Sequence, residues 1–75
     1  MAMEFTESNL DMCQAVFKYG DDIDKVYWIK RLNQRLDILN PLIHELTLKG
    51  INLIEISREL NHEYNTLIML KAKYL

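Results

Sequence analysis

Only three residues in this chain are of the types that tend to break regular backbone, Gly20, Pro41 and Gly50, and their positions constrain the fold more than any other feature. Between them Leu, Ile and Val recur at intervals of three and four, the spacing that lines one face of an α-helix. Few breakers among so many helix-favouring residues read as helices joined by short turns. The expectation is an all-α fold, a small bundle of four to five short helices forming a single domain.

Size sharpens that expectation. A chain of 75 residues buries only about 60% of the surface its unfolded form exposes, so its margin of stability is thin. Domains below roughly 80 residues commonly lean on staples or on a second subunit. Cys13 is the sole cysteine, which rules out an internal disulfide and a multi-thiolate metal site. A lone thiol suits a reducing, cytoplasmic compartment. With 49% hydrophobic residues a core is available, and a homodimer is the expected assembly. No uncharged apolar run approaches the roughly 18 residues of a membrane helix, and the opening Met-Ala-Met-Glu-Phe lacks the basic and apolar regions of a secretory signal. Met1 and Ala2, standing ahead of a second methionine, are set aside as a cloning remnant.

The first helix is expected to start after Thr6, whose hydroxyl can cap free amides while Phe5 staples onto Leu10. Leu10, Cys13 and Phe17 share its buried face with Val16 on the flank, and Gly20 ends it in the left-handed conformation. Asp21 opens the second helix, with Asp24 three residues on. Val26, Ile29, Leu32, Leu36 and Leu39 make its buried stripe, and Lys25, Lys30, Arg31 and Arg35 its outside. Asn40-Pro41 then reads as a boundary, since asparagine caps well and proline suits the first helical position. A third helix buries Leu42, Ile43, Leu46 and Leu48 and closes at Gly50. A fourth starts with the pair Asn52 and Glu55, points Ile56 and Leu60 inward, and turns at Asn61-His62 into a fifth with Leu67, Leu70 and Tyr74 inward. This divides the chain into an N-terminal helical pair over 5–39, suited to dimerisation, and a second unit over 40–75. A competing pattern runs across that division: Ile29, Leu36 and Ile43 are seven apart, as are Leu32, Leu39 and Leu46, which suggests one long helix kinked at Pro41.

The segment Gly50 to Tyr74, GINLIEISRELNHEYNTLIMLKAKY, resembles the helix-turn-helix of homeodomain-like DNA-binding proteins found in phage and mobile-element regulators, transposases and small terminase subunits. The resemblance covers about a third of the chain and rests on the spacing of Ile56, the small Ser57, Leu60, Leu67 and Leu70. It implies a C-terminal trihelical unit whose last helix enters the major groove of duplex DNA. On that alignment Glu63, Tyr64, Asn65, Ile68 and Met69 face the bases, with His62, Lys71 and Lys73 near phosphates. The chain departs from the family in having Asn61 where glycine is usual in the turn, and His62 where an aliphatic follows. The implied function is a small transcription regulator, dimeric, reading half-sites about one helical turn apart.

Charge sets a second reading beside it. The formal net charge is −2, and residues 41–75 carry four basic and four acidic side chains, a poor electrostatic footprint for phosphates. A helical adaptor or inhibitor of phage type, docking on a protein through Tyr27, Trp28, Arg31 and Arg35 or through Ile68 and Met69, fits that balance. No enzyme constellation is visible. Asp21, Asp22 and Asp24 lack the remaining ligands of a calcium loop and read as capping residues. His44 and His62 stand eighteen residues apart with no ligand spacing between them, and Cys13 sits on an apolar stripe. Neither a cofactor nor a metal is expected.

Overall fold

The computed structural model describes residues 5–75, and Met1 and Ala2 lie outside the described residues. The fold is all-α, and among those residues there are four helices and no strand: α1 (Glu7–Tyr19), α2 (Asp22–Leu48), α3 (Leu53–Ile56) and α4 (Arg58–Tyr74). The helices α1 and α4 pack along α2, and their apolar stripes meet in one core of Phe5, Leu10, Cys13, Phe17, Leu32, Leu36, Leu39, Leu67 and Leu70. A fully buried leucine contributes about 1.5–3 kcal/mol relative to exposure, so these stripes dominate the stability of so small a chain.

Capping sets the ends. Thr6 Oγ1 accepts the Asn9 amide at 3.4 Å, as its position before an apolar stripe suggested, and Asp21 Oδ1 accepts the Asp24 amide at 2.9 Å. Gly20 ends α1 for a different reason from the expected one. Its backbone is extended (φ −75°), and it is glycine because a Cβ there would stand 2.6 Å from the Val16 carbonyl oxygen. Gly50 does adopt the left-handed conformation, at φ 73°. The Ile51 amide reaches back to the Leu46 carbonyl at 2.9 Å and the Gly50 amide to Thr47 at 3.0 Å, a Schellman motif that satisfies the last carbonyls of α2.

The main departure from the sequence reading is α2, which runs unbroken through Asn40-Pro41 for 27 residues. The heptad series described the backbone better than the capping pair did. A proline inside a helix deprives the carbonyl four residues earlier of its donor. Here that residue is Asp37, on an exposed face where solvent can hydrate the carbonyl. Leu36 and Leu39 before the proline lie in the core and half-buried Ile43 after it packs against that core, which holds both halves in place. The stripe is also displaced from expectation: Val26 is 66% exposed and Leu48 73%, because α1 and α4 cover only the side that carries Leu32, Leu36 and Leu39. Leu42 likewise stays exposed.

The second departure is the C-terminal third. No turn occurs at Asn61-His62, and both residues lie inside α4. The chain breaks instead at Ser57, whose hydroxyl accepts the Leu60 amide at 3.2 Å and caps α4. What precedes it is the single turn α3, where the Asn52 amide donates to Glu55 Oε2 at 3.4 Å. Leu53 anchors that turn, while Ile56 points outward at 57% exposure. Ser57 is therefore small for its capping role rather than for a close helix crossing. Ile56 does not join Leu60, Leu67 and Leu70 in the core cluster or on its rim.

Candidate nucleic-acid interface

Because α4 starts at Arg58, seventeen consecutive residues share one helical phase. Leu67 and Leu70 lie on its buried side, and Leu60, Tyr64 and Tyr74 pack against the core from its margins. The opposite face follows from the period: Arg58, Asn61, Asn65, Ile68 and Ala72 fall in line, with His62 and Met69 beside them. All of these are exposed except half-buried Asn61. Lys71 and Lys73 stand exposed in the last turn, the latter with its Nζ 5.3 Å from the Tyr74 ring centroid.

Of the residues expected to face DNA, His62, Asn65, Ile68, Met69, Lys71 and Lys73 are on the surface. Tyr64 is not free to read bases, since its hydroxyl donates to Asn40 Oδ1 at 3.0 Å and ties α4 to α2. Glu63 is a larger correction. It is 3% exposed and forms a two-pronged ion pair with Arg35, Nε to Oε2 at 2.8 Å and Nη2 to Oε1 at 3.0 Å. The Phe5 amide donates to the same Oε2 at 2.9 Å, so one carboxylate fastens the N-terminal segment, α2 and α4 together. The pairing satisfies both buried charges where either alone would be costly.

That pair also changes the surface charge. With Glu63 neutralised inside, residues 41–75 present Lys49, Arg58, Lys71 and Lys73 against Glu45, Glu55 and Glu59. Arg58 and Asn61 are the members of the outward face that sequence reasoning missed. The signal for them was Ser57, a good N-cap residue with an acid two positions on, which marks a helix start more directly than it marks a crossing.

The surface expected for a protein partner is taken up by internal contacts. Arg35 is buried in the ion pair just described. Trp28 packs edge-on against Phe5 with ring centroids 6.0 Å apart. Arg31 stacks on three aromatic rings, its guanidinium 5.0 Å from the Trp28 centroid and 5.6 Å from those of Phe5 and Tyr27. Of the four, only Tyr27 is open to solvent, at 52%.

Cys13 lies fully buried, and burial pushes its thiol up to about 11, an effect that the nearby Arg31 charge partly opposes. A thiol so placed stays protonated and is a poor nucleophile. Among the described residues no group of three or more His, Cys, Asp or Glu could hold a metal ion, and no helix is long and apolar enough to cross a membrane. No protein-family model matches this sequence, no curated protein matches it, and no solved structure matches its fold.

Proposed function

We propose that this protein is a small non-enzymatic regulator that binds duplex DNA with the outward face of α4. The observation that carries the reading is the collinear set Arg58, Asn61, His62, Asn65 and Ile68 on a helix about 25 Å long. Those residue types match the edges exposed in a major groove: arginine for guanine, asparagine for adenine, and an apolar side chain for a thymine methyl. Met69 extends the apolar end, and Lys71 and Lys73 supply phosphate contacts. Withdrawal of Glu63 into the core supports the reading, because a carboxylate on that face would repel the backbone.

Arg58, Lys71 and Lys73 are few cations, and the net charge is −2, so affinity depends on base contacts more than on counterion release. The two phosphate contacts of Lys71 and Lys73 give a slope of about −2 in log K against log salt. The test is selection of bound duplexes from a randomised library at low salt, followed by fluorescence anisotropy on the enriched sequence. Asn65→Ala is expected to weaken binding about 5- to 150-fold, the equivalent of about 1–3 kcal/mol for a lost bidentate contact, and to relax preference at one position. Failure to enrich any sequence, or equal affinity for Arg58→Ala, Asn65→Ala and the parent, contradicts the reading.

One observation favours protein docking as a second reading: Ile68 and Met69 are exposed side by side on α4, at 39% and 49%. An adaptor or inhibitor using them would show no salt-dependent duplex binding, and Ile68→Glu would abolish a complex that Arg58→Ala leaves intact.

A further inference from the structure

The apolar content of α2 is not exhausted by the core. Its other side carries Ile23, Tyr27, Ile38, Leu42 and Leu48 in solvent, at 81%, 52%, 48%, 39% and 73% exposure. At 3.6 residues per turn most of these fall, with Gln34, Pro41 and Glu45, in one strip roughly opposite Leu32, Leu36 and Leu39. The strip runs the length of the molecule: 27 residues of helix measure about 40 Å, and the longest dimension is 41 Å.

We infer that this strip is a self-association surface, on which α2 packs antiparallel against α2 of a second copy. The charge pattern commits the occupant and its direction. With the two-fold axis between Asp37 and Ile38, Lys30 faces Glu45 of the other copy and Tyr27 faces Leu48. Gln34 then faces Pro41, and the two Ile38 side chains flank the axis. Tyr27 and Leu48 meet as an apolar pair, Leu42 meets the neutral Asn33, Asp37 stands beside Ile38 at the axis, and the Lys30–Glu45 contact occurs twice by symmetry. A parallel pairing would set Lys30 on Lys30 and Glu45 on Glu45. The inference does not rest on the duplex-binding reading, since α4 packs on the other side of α2.

A strip about 40 Å by 10 Å covers roughly 400 Å² per copy, half of what a standard stable interface buries, so association is weak and concentration-dependent. The same geometry places the two α4 helices on opposite outer flanks of the pair, so each copy would engage its own duplex rather than one half of a palindrome.

Sedimentation equilibrium on the full chain, from about 10 μM to about 1 mM, reads this directly. The expected result is a monomer–dimer equilibrium with a dissociation constant on the order of 100 μM. Ile38→Glu should weaken it at least tenfold, since it removes an apolar contact and adds two carboxylates beside the Asp37 pair at the axis. Lys30→Glu should also weaken it, and Lys30→Glu combined with Glu45→Lys should restore it. Helicity and melting temperature of these surface variants are expected to match the parent. A chain that stays monomeric to about 1 mM, or that associates undiminished as Ile38→Glu, overturns the surface. Loss in Lys30→Glu without recovery in the charge swap overturns the antiparallel register.

Discussion

Removing the Glu63 charge takes away the carboxylate that Arg35 pairs with at 7% exposure, and releases the Phe5 amide at the same time. Breaking one side of a buried pair typically costs about 3–5 kcal/mol, a large share of what so short a chain can spare. Glu63→Gln is therefore expected to lower the melting temperature sharply in a calorimetric scan. Arg35→Met with Glu63→Leu should lose much less, because both desolvated charges go together. Cys13 makes a second prediction. Its thiol is raised to about 11 in the fold against an ordinary value of 9.0, so the folded state holds the proton more tightly. That contribution is complete below pH 9 and lost as pH rises toward 11. Urea midpoints should fall across this window, and fall less in Cys13→Ala. At this scale the sequence was readable where burial follows pattern, as at Leu10, Cys13 and Phe17. It misled at Glu63, because a helical period says which face turns inward but not that an arginine 28 residues earlier waits there.

Elements respond to a different balance. A proline at position 41 reads locally as a helix start, and its neighbour Asn40 strengthens that reading. Tertiary packing outweighs it, because Leu36, Leu39 and Ile43 all gain from a continuous α2. Pro41→Ala restores the amide donor to the Asp37 carbonyl and is expected to stabilise the protein, by up to about 3 kcal/mol. Two separate helices would respond in the opposite direction, having lost a favourable first position. Gly50→Ala forces a side chain into φ 73° and should cost about 1 kcal/mol even though the space around it is open. Caps were legible at Thr6, Asp21 and Gly50 because each depends on one or two neighbouring residues. The break at Ser57 was hidden by a stronger-looking pair at Asn52 and Glu55, which the chain uses for one turn only.

At the scale of the molecule the all-helical class follows from periodicity and the scarcity of breakers, and the core forms where the α1, α2 and α4 stripes meet. The outward face of α4 was legible only in part. Asn65, Ile68 and Met69 could be placed from spacing, whereas Arg58 and Asn61 join them only once α4 is known to start at Arg58. Side-chain amide NMR reads whether this face contacts duplex DNA, because Asn61 and Asn65 report from the face itself. On titration with the selected duplex at low salt, both amides are expected to shift and to return as salt is raised, with Asn33 on α2 unmoved. Unchanged amides at Asn61 and Asn65, or shifts confined to α2, would contradict it.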